Sequence, residues 1–145
     1  MEENKTKFFL NLYETNDYIT KDQIKSLNLN RNDIENIFNT DPKYDDILMF
    51  IKNLPFDIID KIARRGDDRI KSIVCTKWPL LPSTYQYLIE QNENVRASLC
   101  GNPALPHKMI ERLLNDKSEF VRNRMTEVIK YREIKEQNKQ RRLNN

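Results

Sequence analysis

The chain has 145 residues, with 25 Lys/Arg against 22 Asp/Glu and only two glycines, Gly66 and Gly101, which excludes the glycine-rich phosphate loops. Its apolar residues are periodic through most of its length, so it reads as one folded domain and not as a disordered polymer, and no run reaches the ~20 apolar residues of a membrane span. The net charge of +3 divides unevenly: residues 1–60 hold seven Lys/Arg against twelve Asp/Glu, a balance of −5, and residues 61–145 hold eighteen against ten, a balance of +8. Such a split either orients the protein toward an anionic partner or serves solubility alone, the plainer of the two causes.

The opening Met1-Glu2-Glu3-Asn4 is acidic and has no apolar h-region, so no secretory signal is expected. Without one, two cysteines read as reduced thiols in a cytoplasmic setting. Phe8, Phe9, Leu12 and Tyr13 then fall on one helical face, a first helix expected to cover the end of the fold. Thr20 and Gln23 form a capping box for a short helix over 22–27, and Asn30 caps another over 31–38 with Ile34, Ile37 and Phe38 inward. The pair has the outline of a DNA-reading helix-turn-helix. Its second helix carries Asp33 and Glu35 beside Arg31, however, so a structural hairpin is the favoured reading. Asp41-Pro42 breaks the chain, and residues 44–53 predict a helix with Ile47, Leu48, Phe50 and Ile51 apolar.

From Leu54 a pattern recurs. Leu54-Pro55, Leu81-Pro82 and Leu105-Pro106 each open an apolar segment, and each segment ends on Ile70-Lys71, Val95-Arg96 or Val121-Arg122. Each proline should sit in the first turn of a helix. Ile58, Ile59, Ile62 and Ala63 form one helical face in the first unit, and Tyr85, Leu88 and Ile89 in the second. Met109, Ile110, Leu113 and Leu114 do so in the third, with Ile110 and Leu113 expected in the core. Gly66 is placed to end the first of these helices in a left-handed turn. A second, shorter helix is expected over 68–76 and again over 94–100. After Val121 no proline or glycine follows, and Phe120, Met125, Val128 and Ile129 continue one helix toward Ile134, with a fraying basic end from Lys130. Units of two short helices cannot bury their own faces, so neighbours must stack.

The fold class is therefore all-α: a short α-solenoid with an N-terminal helical cap (1–53), three repeats (54–125) and a basic C-terminal helix end (126–145), in one structural domain. The segment Asn94-Val95-Arg96-Ala97-Ser98-Leu99-Cys100-Gly101-Asn102-Pro103-Ala104-Leu105-Pro106 resembles the leucine-rich repeat variant unit, a relative of HEAT-like repeats. The first unit departs from that pattern, with Lys71 for Arg and Lys77-Trp78-Pro79 for Gly-Asn-Pro. The resemblance implies a right-handed superhelix of paired helices with a binding or scaffold role, and no particular reaction.

Lys71, Arg96 and Arg122 recur at one position. Either they form an outward basic ladder with Arg64, Arg65, Lys108, Arg112 and Arg124 beside it, or they pair internally with Asp67/Asp68, Glu93 and Glu119, the favoured expectation. Trp78 is expected to pack over a helix end, or else to present a stacking or hot-spot surface. Cys75 and Cys100 are equivalent core positions. His107 is the only histidine, so neither a metal site nor a catalytic triad is expected, and no cofactor or small-molecule substrate is evident. The expectation is a non-catalytic protein that binds another protein through the face of the stack. The alternative is nucleic-acid binding by the basic C-terminal half. A third and weaker reading is an enzyme of the HEAT-like DNA glycosylase kind.

Overall fold

Helices α1 (Lys5–Thr15), α2 (Lys21–Ser26) and α3 (Arg31–Thr40) lead the chain in the computed structural model, which describes residues 4–15 and 19–145. The acidic leader at residues 1–3 lies outside that range. All regular structure among the described residues is helical. α1 packs on α3 and sends Phe9 into the core, edge-on to Tyr44. Phe8, expected on the same face, is half exposed. The buried stripe runs from Phe9 to Tyr13, one turn on, and Phe8 lies about 100° off it.

Both expected caps are present. Thr20 Oγ accepts from Gln23 N–H while Gln23 Oε1 accepts from Thr20 N–H, at 3.1 and 2.8 Å. Asn30 and Asp33 form the same reciprocal pair at the start of α3, and Asn28, at φ 49°, turns the chain between the two helices. The outward side of α3 offers little to DNA: Arg31 is bound by Glu35 and Asp57.

A 3₁₀ turn (Pro42–Tyr44) leads into α4 (Asp45–Leu48), which is a single turn and not the helix expected over 44–53. The amides of Phe50 and Ile51 bond back three residues, so the turn tightens and the chain leaves toward Leu54-Pro55. As a result Met49 is buried and Phe50 is 57% exposed.

α5 (Phe56–Arg65) and α6 (Asp68–Val74) form the first pair, α7 (Pro82–Leu88) and α8 (Glu93–Leu99) the second, and α9 (His107–Leu114) and α10 (Glu119–Leu143) the third. Pro82 opens α7 at its first position, whereas Pro55 and Pro106 stand one residue outside their helices. The expected faces of α5 and α7 are buried. α5 packs against α7, α6 against α8, and α8 against α10. Gly66 is not left-handed; its φ is −76°. It is required for space, since a Cβ there would lie 2.5 Å from Ile70 Cγ2.

In α9, Met109 and Leu113 are buried, Ile110 is partly covered and Leu114 is exposed, because this helix leans chiefly on α10 and the far side of its stripe stays open. α10 is one 25-residue helix that does not fray at Lys130. Val121, Met125 and Val128 make its buried stripe, Ile129 is packed beside it, and residues 133–143 are exposed throughout. At ~1.5 Å per residue, those last turns extend roughly 16 Å beyond the body.

Leu113→Ala removes a fully buried side chain and is expected to cost about 2–5 kcal/mol in urea unfolding. Ile110→Ala should cost clearly less. Equal losses at the two positions would contradict this placement.

Candidate functional site

The second helices start alike. Asp67, Asn92 and Ser118 each cap their helix by accepting from the amide three residues on, at Ile70, Val95 and Val121. The caps are also joined sideways: Asn92 Nδ2 donates to Asp68, and Ser118 Oγ–H donates to Glu93. Asp67, Asp68 and Glu93 are thus held at helix starts, and none of them pairs with the basic ladder as expected.

The ladder itself turns inward. One residue after each Ile/Val landmark, Lys71 Nζ donates to Gly66 O, Arg96 Nη1 to Gln91 O and Arg122 Nη1 to Asp116 O. Each cation therefore closes the carboxyl end of the preceding first helix, where orphan carbonyls and the helix dipole favour positive charge. Lys71 and Arg96 are each only 7% exposed, and Arg122 is half-buried. Arg96 also forks onto Asp116, Nε–Oδ2 2.8 Å and Nη2–Oδ1 3.0 Å. Burial pushes the Asp116 carboxyl up, but the bonds from Arg96 and from Ser118 N–H outweigh it and hold the group below its ordinary value. An outward ladder for a partner is corrected accordingly: the Lys71 and Arg96 head groups are enclosed.

Most of the flanking cations are also engaged. Arg64 bonds Asp60 at 2.9 Å and lies 4.7 Å from the Tyr87 ring centre, while Thr84 Oγ–H donates to the other Asp60 oxygen. Arg65 forks onto buried Asp45, donates to Phe38 O and lies 3.6 Å over the Phe38 ring, which ties α5 to α3 and α4. Arg112 pairs with Glu90. Lys108 is exposed and has no ion-pair partner among the described residues, and Arg124 reaches Glu127 only at 3.9 Å. Trp78, expected over a helix end, is 61% exposed. Its turn contributes Lys77 and no acid.

The structure does not bring the open groups together. Arg124 instead stands with Phe120, 54% exposed, beside a groove of about 350 Å³ whose other walls are Ser72, Asn94, Ala97 and Ser98 of α6 and α8. Beyond it, Lys130, Lys135, Lys139, Arg141 and Arg142 project on α10 with no ion pair among the described residues. Tyr131, Ile134 and Leu143 are exposed between them.

Cys75 and Cys100 are in the core, where burial pushes the thiols up to about 12 and about 11. Among the described residues no cluster of His, Cys, Asp and Glu is placed to hold a metal ion, and His107 lies exposed beside Glu111. The residue that sequence reasoning missed is Asn102. It is fully buried, donates to Cys75 O and Lys77 O, and accepts from Tyr85 Oη–H and Ala104 N–H, satisfying both amide donors and the carbonyl. Its only signal was the Gly-Asn-Pro triplet.

No family model, curated protein or solved structure matches this chain.

Asp116→Asn leaves Arg96 buried without its carboxylate and should cost about 3–5 kcal/mol at pH 7. Because the folded carboxyl titrates below its ordinary 3.8, the pairing contributes fully above that value and is lost as pH falls through the lower, folded one. The difference between wild type and Asp116→Asn in urea midpoints should therefore be flat from pH 5 to 8 and shrink at pH 3. A gap that widens on acidification would reverse the assignment.

Proposed function

We propose that this protein is a non-catalytic α-solenoid scaffold that binds another protein along the face formed by α6, α8 and α10. The recurrence of cap and carbonyl clasp at three matching positions, with a core cysteine in the first two, supports three stacked units beginning near Leu54, Leu81 and Leu105. The likeness of residues 94–106 to the leucine-rich repeat variant unit agrees with that reading and suggests a right-handed turn. The observation that carries the binding surface is the groove beside Phe120 and Arg124. It has small residues on two successive helices, an exposed aromatic side chain, and a cation whose carboxylate neighbour, Glu127, stands 3.9 Å away. Exposed aromatic and Arg side chains are the common anchors of protein interfaces. Phe120→Ala/Arg124→Glu alters only this surface, so affinity capture from lysate should lose specific partners relative to wild type. Identical partner lists would remove the groove from the reading.

A second reading, nucleic-acid binding, is favoured by one observation: Lys135, Lys139, Arg141 and Arg142 stand without an ion pair among the described residues on the projecting part of α10. Phosphate contacts of this kind give affinity that falls steeply with salt. Low-salt binding of duplex or single-stranded DNA or RNA, reduced in Lys135→Glu/Lys139→Glu/Arg142→Glu, is its expected outcome. No binding at low salt would end it.

A further inference from the structure

A second groove lies at the opposite end of the chain. α2, the turn at Asn28 and Leu29, Ile34 of α3 and residues 50–53 enclose about 390 Å³, within the usual range of binding pockets. Ile24 and Ile34 are buried, Leu29 and Ile51 are half-buried, and Phe50 stands exposed at the edge. The lining also includes three exposed lysines, Lys21, Lys25 and Lys52, against one acid, Asp22.

Those lysines outnumber the acids around them. Residues 1–60 carry a charge balance of −5, and several nearby cations have carboxylate partners: Arg31 has Glu35 and Asp57, Lys43 has Glu14, Arg65 has Asp45 and Arg69 has Asp46, while Lys5 donates to Asn28 O at the groove. Lys21, Lys25 and Lys52 have none within ion-pair distance among the described residues. Lys21 Nζ instead lies 5.8 Å from the centre of the Phe50 ring. Lys77, at the end of the first pair, adds like charge: burial and the nearby Lys21 both lower its pKa. An acid-rich region thus leaves three unmatched cations around an apolar depression, next to the one large aromatic side chain that the shortened α4 leaves in solvent.

We propose that this groove docks a short acidic peptide segment carrying a bulky apolar anchor, the anchor seated against Ile24, Leu29, Ile34 and Phe50 and its flanking carboxylates on Lys21, Lys25 and Lys52. The aliphatic floor selects a side-chain anchor over a nucleobase, which would need a broad aromatic platform. The lysines select acidic flanks. The proposal rests on the protein-binding reading above and gives that reading a recognition chemistry at a second surface.

The test is fluorescence anisotropy of the full-length protein with a labelled eight-residue peptide, Leu-Phe at its centre and Glu elsewhere. Control probes carry Lys in place of Glu, or Ala-Ala at the centre, and a labelled oligo-dT stands for nucleic acid. The acidic apolar probe should saturate, bind at least tenfold more weakly to Lys25→Glu/Lys52→Glu and to Phe50→Ala, and weaken with salt. The altered side chains are exposed, and circular dichroism checks that each variant is folded. If the charge reversal unfolds the protein, Lys25→Gln/Lys52→Gln replaces it. No saturable binding, unchanged affinity in the variants, equal binding of the Ala-centred probe, or tighter binding of oligo-dT would each overturn the proposal. Failure of the probe while lysate partners are still lost in Phe120→Ala/Arg124→Glu would refute this groove alone. Partner lists identical in wild type and both groove variants would refute the protein-binding reading itself.

Discussion

The contact on which the rest of this fold depends is the closure of each first helix by a cation from the second. A short helix ends in carbonyls that have no partner of their own, and in this chain each such end receives a cation from the helix that follows. Arg96 is the fullest case. One guanidinium closes the end of α7 through Gln91 O and grips Asp116 at the end of α9, so two successive helix pairs are held by a single side chain. Arg122 then takes the carbonyl of the same Asp116, and Ser118 N–H takes its carboxylate. Asn102 does comparable work at the other end of the second helices, joining the turn after α8 to the carbonyls that follow α6.

This internal use of charge shapes what the surface can do. The arginines of the helical body are largely engaged by carboxylates and carbonyls, and cations meet exposed apolar surface in three places: beside Phe120, around the groove at Phe50, and along the projecting turns of α10. Each place pairs positive charge with an exposed apolar side chain. Recognition by such surfaces depends on both terms together, apolar burial for affinity and charge for orientation and choice of partner.

How far the sequence could be read follows from the range of each interaction. The caps at Thr20 and Asn30 were legible because donor and acceptor lie three residues apart. The core faces of α5 and α7 were legible because 3.6-residue periodicity is local too. What failed was set elsewhere. Phe50 was expected inside a helix, but the approach to Leu54-Pro55 ends α4 first. Phe8 and Leu114 carry the right residue type on a helix whose neighbour covers the adjacent stripe. The recurrence of the ladder residues is visible in the sequence but their partners are not: Asp116 lies twenty residues from Arg96, and backbone carbonyls leave no mark in a sequence. Gly66 ends α5 where its position in the sequence suggests, but the constraint is the nearness of Ile70 and not the sign of φ.

The two core cysteines have a practical consequence. With thiols held near 12 and 11 and shut off from solvent, neither should react with an alkylating reagent while the helices around it stay closed. Cys75 reaches toward Val95 O on α8 and Cys100 toward Val121 O on α10, so each lies at one inter-helix seam. The rate at which each is labelled therefore measures how often its own seam opens. The protein carries two built-in clocks for local unfolding, one at each junction between second helices, readable by mass spectrometry without adding a probe to the fold.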